Sequence, residues 1–249
     1  MWRDLPAPII IAHRGDEAYA PENTMSAFKQ AADKGSDAVE FDVKLTADGQ
    51  VIVIHDQTVD RTTNGSGDVA RLPFAAIQEL DAGVLFPGQF SGERIPSLDE
   101  VFETVGKRVY MNVELKNYST PFDALVPKVV EVVRKHGLQG RVLFSSFLSH
   151  NLQKARRLLP EVPIGLLTLR GLKGWWGRTI AWQGNYAALH PHVTECNANM
   201  VARVHAAGKW VITWTVVGEM NIMRMNDLDV DGIITDDPAL ALRVVGRGK

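Results

Sequence analysis

The sequence predicts an α/β protein, a single (β/α)8 TIM barrel with a small insertion after its second strand. Three observations point there. Short β-branched runs alternate with longer helical stretches along the chain. Those runs are apolar almost throughout, as parallel strands buried on both faces require. The length of 249 residues suits one such barrel. An open doubly wound sheet shares the alternation and is the competing architecture, because strand order cannot be read from sequence.

Ile9–Ala12 is the first strand. Asn23 is placed to cap a helix over Thr24–Lys34 that stops at Gly35. The second strand spans Ala38–Leu45, Thr46–Gly49 is a turn, and Val51–Ile54 is a further strand. Residues 57–96 break the pattern with Asn64–Gly67, Phe86–Gly88 and Phe90–Gly92, too long a stretch for an ordinary barrel loop, and so read as an insertion with short structure of its own. Ser97 caps a helix to about Val105. Strands follow at Val109–Leu115, Val142–Phe147, Ile164–Thr168, Ala187–His190, Trp210–Val216 and Gly232–Thr235. Helices lie between them at Pro121–His136, Ser149–Leu159, Leu172–Trp182, Asn197–Ala207 and Glu219–Met225, and a last one follows Pro238. Taking Ala38–Leu45 and Val51–Ile54 as one extended second position gives eight βα units, so residues 1–249 read as a single domain.

Apolar residues make up 45% of the chain, enough to fill a barrel interior and the belt around it. A net charge of −2 offers no basic field for nucleic acid or an anionic membrane. The lone Cys196 excludes an intramolecular disulfide and a Cys-based zinc site, and fits a reducing compartment. Met1–Pro6 lacks the apolar run of a signal peptide, and no uncharged stretch approaches the roughly 20 residues of a spanning helix. The expectation is a cytoplasmic protein with no stable membrane association. The oligomeric partner, if any, is not legible.

Chemistry concentrates where strands end, the face that carries catalysis in α/β barrels. The first strand runs into His13-Arg14-Gly15, a weak signal alone, since a strand-end histidine is more often structural. Residues two apart in a strand share a face, so Glu40 and Asp42 point together, flanked by apolar neighbours facing the other way. Two like charges on an inward face need a cation or protons; the apolar flanks argue against a solvated edge strand. His55-Asp56 follows the Val51–Ile54 strand. Asn112, Glu114 and Lys116 again share one face, with an internal Glu114–Lys116 ion pair as the plainer account. Glu40, Asp42 and Glu114 together offer oxygen ligands without a thiolate, which favours one hard divalent ion, Mg2+ or Ca2+. Zn2+ ranks lower: His13 and His55 could supply nitrogens, but both are better used in proton transfer.

Taken in order, His13-Arg14-Gly15, Pro21-Glu22-Asn23-Thr24, Glu40-x-Asp42, His55-Asp56, Glu114-x-Lys116 and the terminal Asp231–Pro238 stretch resemble the signature of the glycerophosphodiester phosphodiesterases, cytoplasmic bacterial type. The resemblance covers nearly the whole chain. It implies a (β/α)8 barrel with an extra segment after the second strand. It also implies a divalent metal on Glu40, Asp42 and Glu114, His13 and His55 as general acid and base, and Arg14 on the phosphate. The implied partners are small-molecule glycerophosphodiesters, cleaved to glycerol 3-phosphate and an alcohol. Lys116 would add a cation for the phosphate or a counter-charge for the carboxylates. The glycerol hydroxyl beside the ester could attack within the substrate, with direct attack by water as the other route.

Glu22 could hold Arg14 or His13 in place, or be a charge at a helix start. Trp214 is either an apolar wall for the glycerol or packing. Ser145, Ser146 and His190 close strands. Trp175 and Trp176, beside Arg170, Lys173 and Arg178, read as helix packing with solvated basic neighbours in preference to a lid or a membrane-touching patch. Rival functions are a lipid-acting phosphodiesterase, a non-catalytic phosphate-ester binder, and a sugar-phosphate isomerase or aldolase. The paired histidines count against the binder. The acidic Thr235–Pro238 turn counts against the isomerase, which needs a glycine-rich phosphate loop there.

Overall fold

Eight parallel strands close into a barrel in a computed structural model that describes residues 1–248. They are β1 (Ile9–His13), β2 (Ala38–Leu45), β4 (Tyr110–Leu115), β5 (Val142–Ser146), β6 (Ile164–Thr168), β7 (Ala188–Pro191), β8 (Trp210–Thr213) and β9 (Gly232–Thr235). Each pairs with its barrel neighbour, and pairing of β1 with both β2 and β9 closes the ring. That closure decides against the open sheet.

The ninth strand, β3 (Val51–Val53), is antiparallel to β2. It therefore does not extend the second barrel position. The reason lies in strand length. β1 ends at His13, opposite Glu40, so the edge of β2 from Val43 onward is open, and β3 pairs with it.

Helices α1 (Met25–Asp33), α3 (Leu98–Val105), α4 (Leu125–His136), α5 (Ser149–Leu158), α6 (Gly171–Thr179), α7 (Ala198–Ala206), α8 (Glu219–Asp227) and α9 (Pro238–Val244) alternate with the barrel strands. The short α2 (Phe74–Gln78) belongs to the 57–96 segment, with a 3₁₀ turn at Val69–Arg71. That segment has its own apolar cluster, which includes Val59, Val69, Ile77 and Ile95 packed on Ile52 and Ile54. The predicted Leu172–Trp182 helix is instead α6 followed by a separate 3₁₀ turn at Ala181–Gln183.

Helix starts are set by side chains that satisfy free N–H groups. Ser97 and Glu100 form a capping box at α3, and Asn197 and Asp237 cap α7 and α9. At α1 the cap is Thr24, whose Oγ1 accepts from the Ala27 N–H, and not Asn23. Asn23 has a positive φ of 58° and sends its side chain into the barrel mouth.

The barrel interior is apolar at the N-terminal end of the strands, where Ile9, Ile11, Ala38, Leu143, Ala188, Ile212 and Ile234 meet beneath Trp2. Larger apolar clusters lie between strands and helices. Polar inward positions, from Glu40 and Asn112 onward, lie beyond this apolar end.

After β1 the chain reverses through Arg14 and Gly15, both at positive φ (50° and 87°). At Gly15 a Cβ would stand 2.7 Å from the backbone carbon of Ala27. At Gly49 φ is also positive, but nothing lies within 4 Å of a Cβ. Gly15→Ala is therefore expected to cost roughly 2–5 kcal/mol, strain plus overpacking, against about 1–2 kcal/mol for Gly49→Ala. Urea unfolding midpoints compare the two; equal losses would show that the approach to α1 imposes nothing.

Candidate active site

Strand register assembles the mouth. Asp42 on β2 lies beside Glu114 on β4, and Glu40 lies between His13 on β1 and Asn112 on β4. Each of Glu40, Asp42 and Glu114 offers a carboxylate oxygen, and these oxygens lie within 4.8 Å of one another. All three residues are buried.

Such crowding is costly in low dielectric, and the surroundings offset it unevenly. Asp42 receives most of the help. Lys116 Nζ donates to its Oδ1 at 3.1 Å, Asn23 Nδ2 donates to Oδ2 at 3.1 Å, and Arg14 Nε lies 3.6 Å away. Burial alone would raise the Asp42 pKa, but Lys116 and Arg14 overcome it and hold the carboxyl well below the usual range. Among the described residues Glu40 accepts a hydrogen bond only from the Arg14 backbone N–H, at 3.3 Å. Burial, then the charge of Asp42, pushes it up to about 8. Glu114 accepts from the Tyr118 hydroxyl at 2.5 Å and lies 3.9 Å from Lys116, yet burial still raises it. Lys116 thus stands as counter-charge to the carboxylates. Lys44 Nζ donates to the Lys116 carbonyl at 2.8 Å, and burial lowers its pKa to about 8.

The two histidines differ in setting. His13 Nδ1 contacts Glu17 Oε1 and Asp236 Oδ1, both at 2.8 Å. Burial pulls its pKa down, but the hydrogen bonds to Asp236 and Glu17 prevail and push it up to about 10. His55 follows β3, where the Ile54 N–H bonds the Asp42 carbonyl and so ties this chain to β2. Its Nδ1 lies 2.5 Å from Asp56 Oδ1. Burial lowers the His55 pKa, and Lys116 and Arg14 add to that against the pull of Asp42 and Asp56.

A continuous set of ion pairs joins the two imidazoles. Glu17 lies 3.9 Å from Arg14 Nε, Arg14 Nη1 donates to Glu22 at 2.9 Å, and Glu22 accepts two bonds from Arg61. Arg61 Nε in turn donates to Asp56 at 2.6 Å. Glu22 is thus bonded to both Arg14 and Arg61.

Trp214 lies just beyond the end of β8, half-buried, with Nε1 donating to the His190 carbonyl at 2.8 Å. Its ring meets Phe147 edge to face at 5.4 Å, and Phe147 meets Tyr118 at 6.1 Å. An aromatic wall thus lines one side of the mouth. Beside Arg14 opens a cavity of about 500 Å³ between the loops after β1, β8 and β9 and the inserted segment, where Leu85 and Phe86 form part of its wall.

Glu17, Asp236, Tyr118 and Arg61 were not singled out in the sequence. Tyr118 and Arg61 lie in irregular segments with no period to read. Asp236 meets His13 across 223 residues; in the sequence it stands only as part of the acidic Asp231–Pro238 stretch, with no role of its own.

Fold and mouth define a class: a barrel hydrolase whose C-terminal face gathers carboxylates, imidazoles and cations suited to a phosphate ester. The sequence profile of the glycerophosphoryl diester phosphodiesterase family matches residues 13–240. A glycerophosphodiester phosphodiesterase of Caldanaerobacter subterraneus subsp. tengcongensis is 39% identical over 96% of this chain and 98% of its own. One from Bacillus altitudinis is 35% identical over 94% and 97%. An Oleispira antarctica phosphodiesterase, solved in complex with the product sn-glycerol-3-phosphate, superposes with a TM-score of 0.89 at 31% identity, covering 98% of both chains. The chain belongs to the glycerophosphoryl diester phosphodiesterase family.

On β7 His190 is fully buried, with neither ring nitrogen paired to another described residue. It fills the space that Gly165 leaves on β6, where a Cβ would collide with the ring. Burial lowers its pKa to about 3. Below pH 6.5 the unfolded chain takes up a proton that the folded state refuses, so this contribution is present above pH 6.5 and lost as pH falls toward 3. The loss amounts to at most about 1.4 kcal/mol per pH unit. His190→Asn should flatten the pH dependence of the urea midpoint between pH 6.5 and 4; an unchanged slope would mean that the ring is protonated in the fold.

Proposed function

We propose that the chain hydrolyses glycerophosphodiesters to glycerol 3-phosphate and an alcohol by histidine acid–base chemistry with one divalent cation. The observation that carries this reading is the buried carboxylate trio set beside Arg14 and two imidazoles, each backed at Nδ1 by a carboxylate. Family membership and a relative solved with glycerol 3-phosphate support the substrate class.

Glu40, Asp42 and Glu114 would hold the cation. The donor set fits: three oxygens, no thiolate, and two carboxyls raised by burial that a dication would return to the charged form. Oxygen donors favour Mg2+ or Ca2+ over Zn2+. When bound, the ion supplies positive charge to phosphoryl oxygens as negative charge builds on them.

Arg14, fixed by Glu22 and Asp42, binds the phosphate, and Lys116 adds positive charge at its edge. The wall of Trp214, Phe147 and Tyr118 packs the glycerol carbons, while the cavity beside Arg14 takes the alcohol. The neighbouring glycerol hydroxyl attacks phosphorus, a step worth about 7–11 kcal/mol over its bimolecular counterpart. His55, held neutral, takes the hydroxyl proton. His13, held protonated, gives its proton to the departing alcohol oxygen as the P–O bond breaks. Water then opens the cyclic phosphate: His13 takes its proton and His55 returns one to the glycerol oxygen. We read the chain as one barrel domain bearing the 57–96 insertion and as a cytoplasmic enzyme of small molecules, consistent with the lone Cys196.

His13→Ala and His55→Ala should each lower turnover about 10²–10⁴-fold with metal affinity intact. With a p-nitrophenyl ester of glycerol phosphate, whose leaving group needs no proton, p-nitrophenol release, the first step, should be restored in His13→Ala but not in His55→Ala. Rescue of the opposite variant would reverse the two roles.

EDTA should abolish activity, and Mg2+ or Ca2+ should restore it. Glu40→Ala, Asp42→Ala and Glu114→Ala should each weaken metal binding by calorimetry at least tenfold, the scale of a lost ligand contact. Unchanged affinity in all three would place the ion elsewhere.

A further inference from the structure

Helix α6 is built inside out. Its sequence, Gly-Leu-Lys-Gly-Trp-Trp-Gly-Arg-Thr, puts glycine at every third position. Gly174 and Gly177 face the barrel so closely that a Cβ on either would collide with Leu169 or Thr168 at the end of β6. Arg178 fastens the helix by donating to the Leu169 and Gly171 carbonyls and pairing with Glu195 at 2.9 Å. With the small residues turned inward, the large ones face out. Leu172 is 92% exposed, Trp175 53% and Trp176 59%, so the packing expected for the tryptophan pair is absent. A short helix that turns two indoles outward leaves unused the apolar area that would ordinarily hold it to the core.

Position and charge indicate what covers this face. The helix begins directly after β6, at the same end of the barrel as the catalytic mouth. Other exposed apolar side chains also follow the C-terminal ends of strands: Phe122 after β4, and Val217 and Met220 after β8. From Val162 to Thr194 the chain has no Asp or Glu, while Arg170 and Lys173 are exposed beside the indoles. Tryptophan with lysine and arginine on a surface helix is the composition that seats in the headgroup region of a bilayer, with indoles at the acyl boundary and cations on lipid phosphates. The protein's net charge of −2 hides this local basic stretch.

We infer that α6 is a reversible docking surface for anionic lipid, which turns the barrel mouth toward a membrane surface. The helix is too short to span, and among the described residues no helix is long and apolar enough to do so. The contact is peripheral and salt-dependent, and it needs no part of the catalytic constellation.

The test is co-sedimentation of the full chain with phosphatidylcholine vesicles containing about 30% phosphatidylglycerol, at about 0.05 M and 0.5 M salt. Wild type should pellet at low salt, release at high salt, and bind pure phosphatidylcholine at least tenfold more weakly. Trp175→Ser with Trp176→Ser, and separately Arg170→Glu with Lys173→Glu, should each reduce pelleting at least tenfold while hydrolysis of water-soluble glycerophosphocholine is unchanged. Wild type remaining in the supernatant, or pelleting untouched by either double variant, overturns the inference. So does light scattering that shows a wild-type dimer lost in the tryptophan variant, since the face would then be covered by a second copy.

Discussion

Three carboxylate oxygens within 4.8 Å of one another, shut away from water, are the constraint around which the mouth is arranged. Their mutual repulsion must be met by fixed positive charge, by protons or by a cation. The register of β2 against β4 sets Asp42 beside Glu114, and the end of β1 at His13 brings the Arg14 N–H onto Glu40. Arg14, Lys116 and Asn23 then converge on Asp42 and Tyr118 on Glu114, and Glu40 is served least. The shortfall at Glu40 is the local signature of a site that the chain's own side chains leave incomplete in charge.

The same charges separate the two histidines. His13 faces two carboxylates, which outweigh its burial. His55 is lowered first by burial, and Lys116 and Arg14 add to that against the pull of Asp42 and of an Asp56 already engaged by Arg61. Identical side chains are thereby pushed in opposite directions, His13 toward the charged and His55 toward the neutral ring, the difference on which the proposed acid and base roles rest. Arg61 makes this a property of the insertion. The 57–96 segment, with its own apolar cluster, presents a guanidinium to Glu22 on one side and to Asp56 on the other.

Period-two spacing made much of this legible in the sequence. Glu40 with Asp42, and Asn112 with Glu114 and Lys116, could be placed on inward faces because a strand has one alternation and its flanks were apolar. The barrel itself was readable from the repeated strand–helix order. What remained hidden depends on contacts between distant segments. Asp236 reaches His13 only once the ring is closed. Asn23 has the composition of a helix cap, yet a left-handed backbone gives the cap to Thr24 and turns the amide toward Asp42. The β3 strand looked like a continuation of β2, because apolar composition does not encode direction. The outward tryptophans of α6 have the bulk of packing residues, although Gly174 and Gly177 mark the face that packs.

Along the barrel axis polarity rises toward the mouth, and this has a consequence for the chemistry. Hydrocarbon fills the N-terminal end. Beyond it uncharged polar side chains sit in register with the acids, Asn112 beside Glu40 and Ser145 beside Glu114. His190, inside the same barrel, is held neutral by burial. A protonated imidazole there would add buried positive charge and reduce the attraction the carboxylates exert on a cation. Keeping it neutral leaves the carboxylate field to be balanced by Arg14, Lys116 and the cation proposed for the site. The uncharged interior thus leaves the site's unsatisfied charge to groups that approach from the mouth, the end of the strands at which the acids lie.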